Sequence, residues 1–158
     1  MHPPRASVWF LCVAMLGFAL ARSTAAEMAP AAKAPAAPVT SRAVDFEKLA
    51  AKPTKTGERR ELFDGPTATL TNFEGHITTL NPGESPHAPH QHPDEELIVV
   101  KTGTIEVNIN GQRSRVGPGS VLFYASNDVH GITNVGTTPA TYLVFRFMTA
   151  ATPKPAAK

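Results

Sequence analysis

The stretch PHAPHQHPDEELIVVKTG, residues 86–103, decides how this chain reads. It carries His87, His90 and His92, then Asp94, Glu95 and Glu96, and turns apolar at Leu97-Ile98-Val99-Val100. On an extended backbone, side chains two apart project from one face, so His90 and His92 converge and Glu96 shares their parity. A carboxylate at the head of an apolar run is costly to bury unless a cation compensates it, and a divalent metal would. The plain alternative is a polar loop running into a strand, with Glu96 at a solvated rim. These eighteen residues alone leave the two readings evenly weighted. A fourth residue tips the balance: His130, which opens the expected strand at 129–134 after a turn at Ser126-Asn127-Asp128.

Around this stretch the chain reads as short strands separated by turn residues. Strands are expected at 68–73, 76–80, 97–101, 104–109, 112–116, 121–124, 129–134 and 140–147. The breaks between them include Asn81-Pro82-Gly83, Thr102-Gly103, Asn110-Gly111 and Gly117-Pro118-Gly119. Asn110-Gly111 is the clearest, because a type I′ turn needs positive φ at both central residues and the flanking TIEVNI and QRSRV alternate apolar with polar. Eight short strands without a long helix imply a closed or sandwiched antiparallel barrel such as a jelly roll. One short helix is expected at 41–51, where Val44, Phe46 and Leu49 recur among charges before Pro53.

At the N-terminus, Arg5 precedes an apolar run at 8–20, followed by small residues that offer cleavage after Ala21, Ala25 or Ala26. This pattern is that of a secretory signal peptide, and the run is shorter than the roughly 20 residues a membrane helix needs. The expected organisation is therefore a signal peptide at 1–26, an Ala/Pro-rich linker at 27–40, one domain at 41–148 and a disordered tail at 149–158. Location in the periplasm or outside the cell follows. The only cysteine, Cys12, falls inside the signal, so any metal site in the mature chain must use nitrogen and oxygen ligands. Removing 1–26 also removes Arg5 and Arg22, turning 15 basic and 13 acidic residues into 13 and 13. A neutral chain has no electrostatic footprint for nucleic acid or for anionic lipid.

The histidine motif resembles that of the cupins. Their first motif places a glycine, a spacer, His-x-His, three or four residues, Glu, six residues and Gly in order; Gly83, His90-Gln91-His92, Glu96 and Gly103 follow it, with a spacer of six rather than five. The second motif is matched by Gly119, His130 and Asn134, while Ala125-Ser126-Asn127 stands where Pro-x-Gly is usual. Asn127 is the non-glycine residue type that best tolerates a left-handed turn. The resemblance spans about residues 60–147. It implies an all-β double-stranded β-helix, the jelly-roll barrel, with a divalent ion held by His90, His92, Glu96 and His130.

Iron, manganese, nickel, cobalt, zinc and copper all suit such ligands. His87 would ligate only if the register slipped, and His76 reads as a structural hydrogen-bonding group. Glu84, Asp94 and Glu95 read as solvated loop charges. In the last strand either Leu143, Phe145 and Phe147 or Tyr142, Val144 and Arg146 line the interior, and Arg146 is expected at an exposed edge unless it serves as a carboxylate clamp. The function implied is that of a metal-dependent cupin acting on a small oxygen-chelating molecule, with Glu96 as the catalytic acid or base. The reaction would be dioxygenase-like, or a metal-assisted lyase, isomerase or hydrolase step, with a ureidoglycine-aminohydrolase-like reaction as runner-up. The alternative is a metal-dependent binding module without turnover. Apolar strand faces at Leu97, Val99, Tyr142 and Val144 suggest a homodimer.

Overall fold

The run Leu97-Ile98-Val99-Val100 sorts its side chains by parity: Ile98 and Val100 are fully buried, whereas Leu97 and Val99 are half-buried on the opposite face. The same alternation recurs along the chain and builds two antiparallel sheets. The computed structural model describes residues 37–154, so the expected signal segment and the linker up to residue 36 lie outside the described residues. The strands are β1 (Lys52–Thr54), β2 (Gly57–Gly65), β3 (Asn72–Leu80), β4 (Glu95–Thr102), β5 (Ile105–Ile109), β6 (Gln112–Val116), β7 (Val121–Tyr124), β8 (His130–Asn134) and β9 (Ala140–Met148). Six form one sheet in the order β1-β2-β3-β9-β4-β7, and three form the other in the order β6-β5-β8.

The core lies between the sheets. Ile98, Val100, Tyr142 and Val144 of the large sheet meet Ile105, Val107 and Ile132 of the small one. Each such side chain contributes about 1.5–3 kcal/mol by leaving water. In β9 the interior set is therefore Tyr142, Val144 and Arg146, with Leu143, Phe145 and Phe147 on the outer face. There Phe73 lies against Phe63, Phe145 and Phe147 with ring centroids 4.6, 6.3 and 5.9 Å away.

The turns account for several motif residues. Asn110 and Gly111 have φ of 49° and 86°, as the β5–β6 hairpin requires. Asn127 adopts φ 64° and makes the left-handed turn ahead of β8. Gly103 has φ 84°, and a Cβ there would come within 2.6 Å of the Ala140 backbone, so only glycine fits. Asn134 is wholly buried: its Nδ2 donates to Leu80 O at 3.0 Å and Thr138 O at 2.9 Å, and its Oδ1 accepts from Gly136 N at 3.0 Å. It latches the end of β8 to β3 and to the loop before β9.

Two expectations are corrected, and strand β2 is added. The helix at 41–51 is a single 3-10 turn, Phe46–Lys48, capped by the Asp45 side chain. Phe46 lies beneath the cations of Lys101 and Arg60, at 3.2 and 5.0 Å. The strand at 68–73 is instead a turn closed by Thr67 Oγ1, which accepts from Leu70 N at 2.9 Å, and the strand begins at Asn72 and runs through Gly75. Strand β2 has no apolar alternation in Glu58-Arg59-Arg60-Glu61 and is fixed by pairing with β3. No helix among the described residues is long and apolar enough to cross a membrane.

Candidate metal centre

Three histidines meet at one end of the sandwich. The loop between β3 and β4 runs beside β8, where His90 N donates to His130 O at 3.0 Å and His130 N donates to His90 O at 2.8 Å. This reciprocal pair sets the two residues directly opposite each other. Asn127 N donates to His92 O at 2.8 Å and Ser126 Oγ to Pro93 O at 2.7 Å, so the turn before β8 clasps the backbone at His92. One ring nitrogen from each of His90, His92 and His130 falls within 4.8 Å of the others.

Hydrogen bonds fix the tautomers of two rings. His130 Nδ1 lies 2.8 Å from the carbonyl oxygen of Asp128, and His92 Nδ1 lies 2.9 Å from that of Asp94. A carbonyl only accepts, so each Nδ1 carries its proton and each Nε2 offers a lone pair. His130 Nε2 is buried and has no protein partner. His92 Nε2 sits 3.1 Å from Glu96 Oε2, an acceptor facing an acceptor unless a proton or a cation lies between them. Glu96 joins the cluster through His92 rather than closing within the common 4.8 Å.

Electrostatics follow from these contacts. Burial, reinforced by His87, His130 and His92 nearby, pushes His90 down to about 4. Burial also lowers His130, whereas the hydrogen bond to Glu96 raises His92. At neutral pH His90 and His130 are therefore neutral, the form that binds metal. The donor set fits a divalent ion: three imidazoles with lone pairs turned toward one another, one buried and unpartnered, and a carboxylate alongside. Nitrogen donors on one ion, with bonds of about 2.1 Å, lie up to about 4.2 Å apart, so only slight closure is needed.

Two charges expected in solvent are not there. Asp94 is 1% exposed, and its carboxylate accepts from Arg146 Nε at 2.6 Å and Nη2 at 3.0 Å. Burial opposes its ionisation, yet this guanidinium holds Asp94 below the usual carboxylate range. Arg146 is half-buried on the central strand β9 rather than at an edge, with Nε 3.9 Å from Glu96 Oε2. The register sets Glu74, Arg146, Glu96 and Tyr124 side by side across β3, β9, β4 and β7. Glu84 and Glu95 are exposed. His76 is buried with Nδ1 2.6 Å from Glu74 Oε1, and His87 is exposed, packed edge-on against His90 at 4.1 Å. Both lie outside the three-histidine cluster.

A cavity of about 170 Å³ opens at the cluster. Its walls combine two kinds of residue: the histidines with Glu96, Arg59 and Arg146, and Ile98, Ile132 and Val144 with the two tyrosines. Drug-sized ligands occupy about 300–1,000 Å³, so this space suits a small molecule. Sequence reasoning passed over Tyr124 and Arg59. Tyr124 alternates with Leu122 in β7, which is the signal that would have placed it inside; nothing local distinguishes Arg59.

Solved structures share this fold. An RmlC-like cupin from Shewanella frigidimarina is 16% identical with a TM-score of 0.57, covering 71% of this chain and 95% of its own. The polyketide cyclase RemF from Streptomyces resistomycificus is 23% identical with a TM-score of 0.56, covering 68% and 80%. A predicted oxalate decarboxylase from Thermotoga maritima is 20% identical with a TM-score of 0.56, covering 68% and 99%. Among curated proteins none matches. The family described as the cupin domain matches residues 76–146, the span from His76 on β3 to Arg146 on β9 that contains the whole histidine cluster. Over residues 76–146 the chain thus matches the cupin domain, and the two-sheet sandwich that carries both histidine segments is the fold those solved structures share.

Proposed function

We propose that this cupin is a metal-dependent enzyme acting on a small, oxygen-chelating molecule in the periplasm or outside the cell. The observation that carries the reading is His130 Nε2, a buried lone pair without a protein partner inside a cluster of three imidazoles. Leaving such an atom unpaired costs about 1–3 kcal/mol, which an ion bound there would offset. His90, His92 and His130 would hold the ion, with Glu96 as the fourth ligand. When bound, the ion would act as a Lewis acid toward a chelating substrate, and a redox-active one would also permit dioxygenase-like chemistry. The protein's own residues supply the rest. Asp94 receives the Nδ1 proton of His92 at its carbonyl oxygen and so holds that ring in its ligating tautomer. Glu96 Oε2, beside His92 Nε2, is the place where a proton is held or released. Ile98, Ile132 and Val144 keep bulk water from the inner wall.

Glu96→Gln tests the enzymatic reading, because it keeps size and a carbonyl oxygen while removing the charge. At matched metal occupancy, the variant is expected to bind a chelating substrate and to turn it over about 10²- to 10⁴-fold more slowly. Full activity in the remetallated variant refutes the proton-transfer role. Metal analysis with oxygen-uptake measurements then sorts the reaction: iron with uptake means dioxygenase-like chemistry, whereas manganese or zinc without uptake means a lyase, isomerase or hydrolase. Metal and ligand binding without turnover of any chelating substrate assigns the protein as a binding module.

The proposed homodimer uses the outer face of the large sheet. Tyr142 and Val144 point inward and drop out of that surface. Leu97 and Val99 remain, paired with Phe123 and Val121, which are 52% and 61% exposed. An apolar edge of this kind marks an association surface. Light scattering is expected to show a dimer that Phe123→Glu dissociates, and a monomeric wild type at micromolar concentration removes the proposal.

A further inference from the structure

The chain has two tyrosines, both in the core and both lining the cavity, and they differ in one respect. Tyr142 lies directly opposite Thr78 in the β3–β9 register. Tyr124 is 1% exposed and its hydroxyl has no protein partner. Its ring stacks on His130, with centroids 4.1 Å apart and planes 14° from parallel, and its backbone lies opposite Glu96 in the register. Phenylalanine would fill the same volume, keep the same stacking and avoid desolvating a hydroxyl. The core has no use for this oxygen. The cavity beside the histidines does.

We propose that Tyr124 is the ligand-orienting donor of the cavity: its hydroxyl, which no protein group pairs, donates to an oxygen of the molecule bound at the histidine cluster. This rests on the metal-centred reading above and adds to it a requirement on the ligand, which must present an acceptor oxygen toward β7 as well as the atoms that chelate the ion. Burial and the neighbouring Glu96 raise Tyr124 above the usual phenol range, so it remains a protonated donor at physiological pH. The half-buried charges agree with an acidic chelator. Glu74, Asp94 and Glu96 against Arg59 and Arg146 leave one net negative charge, three against two, which a divalent ion turns into one net positive. A singly charged oxygen ligand neutralises it.

Tyr124→Phe separates this role from a structural one. In the metal-free protein the variant should melt higher by about 2–5 °C, because it sheds an unsatisfied buried hydroxyl. Co(II) affinity should match that of wild type, since the ring on His130 is kept. The Co(II)-loaded variant should bind 4-nitrocatechol or lactate about 10-fold more weakly, followed by the visible spectrum of the ion. A lower melting temperature would show that the hydroxyl is paired within the fold and would overturn the proposal. So would unchanged affinity for both chelators, or a loaded wild type that binds neither. A wild type that takes up no Co(II) sinks the metal-centred reading itself; the chelators are then titrated against metal-free protein, and equal binding by wild type and variant overturns the role of Tyr124 as well.

Discussion

Strand β8 carries a buried polar side chain at each end, and the two are treated in opposite ways. At its C-terminal end, Asn134 has three hydrogen bonds, to Leu80, Thr138 and Gly136. Five residues make the whole strand, and at its other end His130 is equally enclosed, yet its Nε2 meets no protein atom that could bond it. A buried polar group whose bonding capacity is used up by the fold serves the fold. One left with spare capacity beside a cavity is available to something the fold does not contain. The difference separates architecture from chemistry within a single strand, although both residues belong to the stretch that resembles the second cupin motif.

The largest expected effect breaks the His130 side of this contrast. Apparent binding energies of structural zinc sites, about 10–16 kcal/mol over four ligands, give each ligand about 2.5–4 kcal/mol. His130→Ala should therefore weaken Co(II) or Zn(II) binding by several hundred-fold in a chelator-competition titration, and His90→Ala and His92→Ala should do the same. His87→Ala should change it less than about threefold. Equal loss from His87→Ala would mean that the loop presents a different pair of histidines.

Asn134→Ala attacks the other end. It leaves the Leu80 and Thr138 carbonyls and the Gly136 amide without their partner, at an expected loss of about 3 kcal/mol in denaturant unfolding. Metal affinity of the folded variant should stay within about threefold of wild type. A large drop in affinity with little loss of stability would reverse the assignment of the two ends.

The smallest effect sharpens the contrast by pH. Burial lowers His90 to about 4 and lowers His130 as well, so at and above the ordinary imidazole value of 6.5 both are mainly neutral. His92 is raised by Glu96, and its proton competes with the ion. Above pH 6.5, affinity should rise with pH by about tenfold per unit while His92 is protonated, then level off, with one proton released per ion bound. A slope of three would show that all three imidazoles titrate together.

Much of this was legible in the sequence because it depends on local order. Parity brought His90 and His92 together, Asn110-Gly111 fixed a hairpin, and Asn127 could be singled out as the left-handed turn residue. What escaped depends on partners far along the chain. Nothing in Pro93-Asp94-Glu95 tells that Asp94 is the one buried, because its cation, Arg146, is 52 residues away. Parity in β9 gave two candidate faces, and only the covering sheet chose between them. Strand β2 was hidden because its charges serve cross-strand pairs, such as Arg59 with Glu74 at 2.7 Å, instead of marking an exposed surface.

The loop that bears His90 and His92 is held to β8 at three levels, by the Gly83–Asn134 and Asn134–Glu84 backbone bonds at one end, the Ser85–Thr133 hydroxyl pair at 2.7 Å, and the His90–His130 pair nearer the other end. This gives the centre a clock as well as a shape. The loop can peel from β8 while the two sheets stay packed, because these few bonds lie outside the large-sheet ladders. Local opening of this kind is cheaper than global unfolding and therefore far more frequent. An ion held across the gap would leave at the rate the loop lifts, and by bridging segments forty residues apart it would slow that lifting. Amide exchange at His90 and His130 should accordingly keep time with metal release, well ahead of exchange at Ile98 and Val107 in the core.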